Sequence, residues 1–222
     1  MGVRGALFAA VYDRQLAKTE AAGLGEMRRR LLAAASGAVL EVGAGTGANL
    51  AYYGDAVREL TLTEPEAPML RRLTRKVASL PRSITVLRAP AEDLPFDDGV
   101  FDVAVSTLVL CGVSDQARAL RQLRRVLRPG GTLLFLEHVR SDDPRLARRQ
   151  QRMNPINRFV VGCECTRPTL DSIEAAGFVV SEVEHETMPL APSFVRPLVV
   201  GTATTPVPAP GPAQRQEMNT SS

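Results

Sequence analysis

The chain has 222 residues, a formal net charge of +3, and 45% hydrophobic and 23% charged residues, which is typical of a soluble globular protein. At roughly 100 to 200 residues per domain, this length favours one large domain. The sequence contains no run of roughly 18 to 20 apolar residues such as a bilayer-spanning helix needs, so we do not expect an integral membrane protein. Three cysteines are too few for a disulfide framework, which predicts a reducing, cytoplasmic location.

Apolar periodicity alternates between helix and strand along the chain, which is typical of a mostly parallel sheet with helices on both faces. Residues 14–35 are predicted to form a helix that breaks at Gly23 or Gly25, within a helical cover spanning residues 1–37. The first half is then predicted to contain strands at 38–42, 59–64, 83–88 and 101–106 and helices at 49–57 and 69–80.

The second half is predicted to contain helices at 114–127 and 168–176 and strands at 132–137, 178–186 and 195–203. Ser114 is a candidate cap for the first of these helices. The last two strands are joined by a connection too short for a crossover helix, so we expect an antiparallel edge hairpin. The sequence therefore predicts a doubly wound α/β core at 38–203 with a seven-stranded, mostly parallel sheet. Residues 204–222 are rich in Pro, Thr, Ser and Ala and are predicted to form a disordered tail.

A glycine-rich loop at residues 43–47 follows the first strand and opens the next helix. Glycines let the backbone turn tightly and approach a ligand, while helix amides face it. Glu64 ends the second strand about 20 residues later, where a carboxylate can accept hydrogen bonds from both ribose hydroxyls. Nicotinamide enzymes and S-adenosylmethionine enzymes share both features, so the loop alone does not choose between them.

Further segments favour the second class. Glu41 together with residues 91–96, 101–103 and 127–131 resembles the ordered motif set of the class I, Rossmann-like S-adenosylmethionine-dependent methyltransferases. Blocks at 106–111, 136–139, 162–167 and 195–197 are similar to those of the methyltransferase-like alkyl thiol S-methyltransferases. The resemblance covers about residues 38–203. It implies a Rossmann-like fold, S-adenosyl-L-methionine as cofactor, and methyl transfer to a small, hydrophobic acceptor, with a thiol as the favoured nucleophile.

The resemblance also assigns roles to residues. The cofactor-binding residues that it implies are Glu41, Gly43 and Gly45 at the methionine part, Glu64 at the ribose, Met69, Ala91 and Glu92 at the adenine, and Thr107 beside the methionine end. Many related methyltransferases contact the adenine amino group through an Asp just before the Ala-Glu pair. Pro90 occupies that place here, so this contact must come from elsewhere.

His138, at the carboxyl end of the fifth strand, is the candidate catalytic base, because ligands gather there and its ordinary pKa suits proton transfer. The alternative is a histidine that only shapes the pocket wall.

Cys111 is interpreted as a small buried residue rather than a reactive thiol. Cys163 and Cys165 form Cys-x-Cys, but structural zinc needs four ligands and no second cysteine pair is present, so no metal is expected.

Other functions remain open at this level. Relatives that share the cofactor half methylate quinone carbons or phospholipid amines, and a cofactor-binding protein without transferase activity is a further alternative. Nucleic acid is not expected as a substrate, because no aromatic stacking motif accompanies the basic residues.

Animal members of the alkyl thiol S-methyltransferase family that this sequence resembles carry a hydrophobic N-terminal anchor, which we do not expect here. The arginine-rich segment 140–158 is interpreted as a solvated helix face, an anion-attracting surface or a peripheral membrane contact.

Overall fold

A single seven-stranded sheet dominates the computed structural model, which describes residues 17–207. The strands are β1 (Gly37–Val42), β2 (Val57–Thr63), β3 (Ile84–Leu87), β4 (Phe101–Thr107), β5 (Leu127–His138), β6 (Val179–Thr187) and β7 (Pro197–Thr204). They are arranged in the order β3-β2-β1-β4-β5-β7-β6. Strands β1 to β5 pair in parallel, whereas β7 pairs antiparallel with both β5 and β6. The predicted Rossmann-like sheet with an antiparallel edge hairpin is therefore confirmed.

Five α-helices lie wholly within the described residues. They are α1 (Gly25–Leu32), α2 (Ala67–Val77), α3 (Gln116–Val126), α4 (Pro144–Val161) and α5 (Thr169–Ala175), with a π-helical segment at Glu20–Leu24 and a 3-10 turn at Asn49–Ala51. The predicted break before α1 lies at Gly23, whose φ of +134° is a conformation open to glycine but not to most residues.

The central strands are apolar on both faces because helices cover both. Leu40 and Leu133 belong to the hydrophobic cluster on one face of the sheet. Val39 and Leu134, their neighbours in sequence, belong to the cluster on the other face, as the period of two along a strand requires. This doubly covered core holds the carboxyl ends of β1, β2 and β4 in fixed positions relative to one another.

Two predicted elements differ from those observed. The helix expected at 49–57 is only the 3-10 turn, and Val57 already begins β2. The prediction that Ser114 caps α3 is also wrong. Asp115 caps α3 instead, because its extended backbone lets its carboxylate accept a hydrogen bond from Arg118 N at 2.8 Å.

At the far end of the core, the sheet extends past the predicted boundary at residue 203. Thr204 pairs with both Thr132 and Val179, and Thr205 donates from its hydroxyl to Arg128 O. The remainder of the predicted tail from residue 208, and residues 1–16 of the predicted helical cover, lie outside the described residues.

The arginine-rich segment forms one helix, α4, capped by Asp143. Its last turns carry exposed apolar side chains, among which Phe159 is 92% exposed and Ile156 is 58% exposed. None of the helices described at residues 17–207 has the length and apolar character needed to cross a membrane.

Candidate active site

A cavity of about 420 Å³ opens at the carboxyl ends of β1, β2 and β4. This edge is where ligands bind in open α/β sheets, and the volume falls within the range of small-molecule sites. The cavity is lined by every residue that the sequence resemblance implied for cofactor binding: Glu41, Gly43, Gly45, Glu64, Met69, Ala91, Glu92 and Thr107. The fold thus brings together residues that lie up to 66 positions apart in the chain.

The glycine loop makes the floor of the cavity. Gly43 and Gly45 both have a φ of +58°, in the left-handed region that favours glycine. A Cβ atom on Gly43 would lie 2.6 Å from a methyl carbon of Val109, which is too close for any real side chain. Glycine at position 43 therefore lets the loop after β1 pack directly against the loop after β4.

Glu64 fixes this loop from the end of the neighbouring strand. One carboxylate oxygen accepts a hydrogen bond from Gly45 N at 2.9 Å, and the other accepts one from Glu66 N at 2.8 Å. Burial raises the pKa of Glu64 above its usual value, although both backbone hydrogen bonds favour the charged form. The carboxylate is thereby held at the cavity wall in one orientation.

A buried polar network surrounds Glu41 on the opposite side of the glycine loop. Its two carboxylate oxygens accept hydrogen bonds from Asn49 Nδ2 at 3.0 Å and from Tyr53 OH at 2.7 Å. Burial is the largest influence and raises the pKa of Glu41 to about 7, while its hydrogen bonds and Arg28 oppose the shift. Glu41 therefore changes its charge close to neutral pH.

Arg28 completes the network from α1. Its guanidinium donates to Asn49 Oδ1 and to Thr107 Oγ1, both at 2.8 Å, and pairs with Glu20 at 2.9 Å. The side chain is buried and lines the cavity. Sequence reasoning missed this residue. The sequence feature that could have revealed Arg28 is its position, because a charged side chain stands there four residues after Leu24 on the otherwise apolar face of the helix.

Glu92 ties two cavity loops together. One of its carboxylate oxygens accepts hydrogen bonds from the backbone and the hydroxyl of Ser114, both at 2.8 Å, and from Asp115 N at 3.3 Å. Burial acts to raise the pKa of Glu92, but these hydrogen bonds outweigh it and leave the pKa below its usual value. Glu92 therefore orders the loop after β4 as well as lining the cavity.

Glu137 supports the wall from behind. Its carboxylate accepts hydrogen bonds from Ser106 Oγ at 2.7 Å and from Val109 N at 3.0 Å, and burial raises its pKa to about 7. Between these two partners, Leu108 adopts a positive φ of 60° and faces the cavity. A non-glycine residue in this conformation is held there by its surroundings, which is common at ligand sites.

His138, the predicted base, does not line the cavity. Its Nδ1 atom faces the sulfurs of Cys111 at 3.6 Å and Cys163 at 3.4 Å. Its Nε2 atom is buried and has no hydrogen-bond partner in the described part of the chain. Neither ring nitrogen opens onto the ligand space, so direct proton transfer from a bound acceptor to His138 has no geometric support.

The same place gathers all three cysteines, which are free and buried. Cys163 Sγ lies 3.5 Å from Cys165 Sγ. Cys111 is 2% exposed, in agreement with its interpretation as a small buried residue. A hydrogen bond from Cys163 lowers the pKa of Cys111 well below its usual value, against the effect of burial. The Cys-x-Cys spacing of Cys163 and Cys165 could not reveal this cluster, because Cys111 and His138 come from other parts of the chain.

Comparison with known proteins identifies the family of the chain. A family model described as a methyltransferase domain matches residues 40–135. The thiol S-methyltransferase TMT1B of Homo sapiens is 39% identical over 180 residues, which cover 78% of this chain and 73% of that protein. The thiol S-methyltransferase TMT1A of Homo sapiens is 33% identical over 201 residues, which cover 88% of this chain and 82% of that protein.

The chain belongs to the TMT1 family of S-adenosylmethionine-dependent methyltransferases. A solved methyltransferase from Thermotoga maritima shares the fold, with a TM-score of 0.67 at 23% identity over 90% of this chain and 97% of that one. The predicted enzyme class is therefore confirmed, and the alternative of a cofactor-binding protein without transferase activity is not favoured.

The donor set of this methyltransferase fits the cofactor that its family implies. The buried Glu41 carboxylate can receive an ammonium group, and the Glu64 carboxylate can receive hydroxyl groups. Between them, the glycine loop lines the cavity, and Gly43 packs so closely against Val109 that a Cβ atom there would clash. The apolar part of the wall, which includes Met69 and Ala91, offers flat contact area for an aromatic base.

Proposed function

We propose that this methyltransferase transfers a methyl group from S-adenosylmethionine to the sulfur of a small, hydrophobic thiol. The observation that carries the proposal is that neither a histidine nor a buried carboxylate without hydrogen bonds lines the described cavity. Four carboxylates line it: Glu41, Glu64 and Glu92 each accept hydrogen bonds, and Glu66 is exposed to solvent. An alkyl thiol suits such a site, because a pKa of about 8.5 already leaves a few per cent of thiolate near neutral pH. Its relatives TMT1A and TMT1B, named as thiol S-methyltransferases, support the same acceptor.

Cofactor binding assigns a role to each part of the wall. We propose that Glu64 accepts hydrogen bonds from the ribose hydroxyls and that Glu41 receives the methionine ammonium group. Arg28 lines the cavity beside Thr107, to which it donates a hydrogen bond, and is placed to meet the methionine carboxylate. Met69, Ala91 and Glu92 enclose the adenine. S-adenosylmethionine supplies a methyl group that is already activated on a sulfonium sulfur.

The chain then contributes alignment and exclusion of water. The acceptor thiol loses its proton to solvent, and the thiolate forms a bond to the methyl carbon as the carbon–sulfonium bond breaks. The electron pair of that bond stays on the leaving sulfur, so the products are a thioether and S-adenosylhomocysteine. Leu108, Val109 and Val113 form the apolar side of the cavity and desolvate the thiolate.

A panel of acceptors tests the proposal. Full-length enzyme is incubated with methyl-labelled cofactor and alkyl thiols, quinols, phenols or amines, and the labelled products are identified by mass spectrometry. We expect methyl thioethers, with a rate that rises with pH up to the pKa of the thiol used. Labelled quinol or amine with no labelled thioether would contradict the thiol acceptor and favour the alternative acceptors. A rate that follows one fixed pKa for thiols of different pKa would instead reveal a protein base.

A further inference from the structure

Four side chains behind the acceptor wall form what we call the thiol cluster: Cys111, His138, Cys163 and Cys165. Three independent segments supply them, namely the loop after β4, the end of β5 and the segment after α4. All four are at most 7% exposed. Neither the methyl-transfer step nor cofactor binding uses them.

The separations within the thiol cluster match a tetrahedral metal site. Zinc bonds of about 2.3 Å to sulfur and about 2.0 Å to nitrogen place two sulfur ligands about 3.8 Å apart, and a sulfur and a nitrogen ligand about 3.5 Å apart. The sulfurs of Cys163 and Cys165 are 3.5 Å apart, and His138 Nδ1 lies 3.4 Å from Cys163 Sγ and 3.6 Å from Cys111 Sγ. The ligating atoms of Cys111, His138 and Cys163 all lie within 4.8 Å of one another. Three ligand atoms are therefore already gathered at metal-binding distances, and Cys165, which contacts Cys163, would complete the shell by moving closer to Cys111 and His138.

We propose that the thiol cluster is a Cys3His site for zinc or a divalent cation of similar chemistry. Three thiolates and one imidazole complete a tetrahedral shell, and such closed shells are structural rather than catalytic. Binding converts three thiols to thiolates and releases three protons to the solvent. With one divalent cation, the filled site carries a net charge of −1.

Two donor side chains lie beside the thiol cluster, Asn157 and Arg167, the second of which also pairs with Glu164 at 3.0 Å. Arg167 donates to the carbonyl oxygens of Leu110 and Val113, both at 2.7 Å, and its positive charge acts on Cys111. Asn157 Nδ2 donates to Cys165 Sγ at 3.4 Å and to Cys163 O at 2.7 Å. Donors of this kind orient thiolate ligands and tune a metal site.

Metal binding would join the loop after β4 to the segment after α4. The first of these segments flanks the cavity, because Gly112 and Val113, which directly follow Cys111, line it. The backbone hydrogen bond from Glu164 N to Cys111 O, at 2.8 Å, already links the two segments. The cation would therefore fix the acceptor wall without contacting the acceptor.

Cobalt substitution tests the proposal independently of methyl transfer. Full-length protein is stripped with a chelator under reducing conditions and titrated with Co²⁺. We expect one cobalt per chain, with the intense visible bands of tetrahedral cobalt, a near-ultraviolet sulfur-to-cobalt charge-transfer band, and loss of both when Zn²⁺ is added. Mass spectrometry for metals should find zinc in protein purified without chelator.

Variants distinguish this site from adventitious binding. Cys163→Ser and His138→Ala should abolish the charge-transfer band or shift it, whereas His185→Ala, at the exposed second histidine of the chain, should not. Asn157→Ala keeps all four ligands and should weaken cobalt binding by roughly 10- to 100-fold, because it removes the hydrogen bond that Asn157 donates to Cys165 Sγ. Circular dichroism checks the fold of each variant.

The proposal would be overturned by wild-type protein that folds but binds cobalt without a charge-transfer band. Equal binding by wild type and His138→Ala would overturn it as well. An unchanged spectrum in Cys165→Ser would reject the closed four-ligand shell. These outcomes leave the methyl-transfer proposal untouched, because its assay uses a different readout.

Discussion

Glu41 combines near-complete burial with a pKa of about 7, which makes it the most pH-sensitive group at the cavity wall. Its pKa in the folded protein lies above the 4.5 that is usual for a glutamate side chain. Ionisation of Glu41 therefore costs stability as pH rises from the unfolded pKa to the folded one. A cationic partner in the cavity would reverse that preference.

The first prediction concerns proton release on ligand binding. If the methionine ammonium group meets Glu41, binding of S-adenosylhomocysteine lowers the pKa of Glu41 and releases a proton between about pH 5 and 7. Affinity should rise with pH over this window and level off above it. Calorimetry in two buffers of different ionisation enthalpy measures the released proton.

Glu41→Gln should bind S-adenosylhomocysteine more weakly and release no proton, whereas Glu59→Gln, at an exposed position of β2, should behave as wild type. Wild-type binding without proton release near pH 6 would contradict the contact.

The second prediction concerns Glu64. Glu64→Gln removes the charge but keeps one acceptor oxygen, so the glycine loop should retain its fold. Hydrogen bonds to a charged group contribute roughly 1.5 to 3 kcal/mol, so S-adenosylhomocysteine should bind about 10- to 150-fold more weakly. Calorimetry measures the affinity, and Glu59→Gln again serves as control. An unchanged dissociation constant would refute the ribose role.

At the scale of elements, α1 connects the helical cover to the cavity. Arg28 on its buried face reaches Thr107, which lies 79 positions further along the chain at the end of β4. Arg29, its neighbour, is on the solvent face and pairs with Glu26 within the same helix. The two residues form a matched pair for testing what this helix contributes.

The third prediction compares these arginines. Arg28→Met leaves Glu20, Asn49 and Thr107 without their shared donor. Because the ion pair with Glu20 is part-buried, its loss should cost more than the roughly 1 kcal/mol of an exposed pair and less than the roughly 3 to 5 kcal/mol of a fully buried one. We expect a lower denaturation midpoint and weaker cofactor binding. Arg29→Met removes an exposed pair and should change stability by less than about 1 kcal/mol. Urea denaturation followed by circular dichroism measures both. Equal midpoints for the two variants would contradict the structural role of Arg28.

Local patterns were enough to predict most elements, because these depend on neighbours in sequence, whereas the family resemblance supplied most of the cavity residues. A few neighbouring residues are enough to recognise the alternating apolar pattern of a strand, the glycines at 43 and 45, and the acidic residue after β2. Residues that depend on distant contacts could not be found in this way. Arg28 meets its partners only through tertiary packing, and the thiol cluster joins residues from three segments. The length of the 3-10 turn was also missed, since apolar residues there fit helix and strand alike.

At the scale of the whole molecule, the sheet order determines what can meet. Placing β1 between β2 and β4 sets Glu41, Glu64 and Thr107 around one opening. Placing β5 beside β4 sets His138 behind that wall rather than inside it. The cofactor side and the thiol cluster therefore occupy opposite sides of the loop after β4. This arrangement separates the methyl-transfer chemistry from the groups proposed to hold a metal.

The identity of the acceptor atom is the central claim. The most direct test offers the enzyme hexanethiol, hexanol and hexylamine, which share one alkyl chain and differ in the nucleophile, each with methyl-labelled S-adenosylmethionine. We predict labelled methyl hexyl thioether and an equal amount of S-adenosylhomocysteine from the thiol alone, with a much reduced rate for Glu64→Gln at subsaturating cofactor. Methylation of hexylamine, or no product from hexanethiol by enzyme that binds the cofactor, would contradict the account.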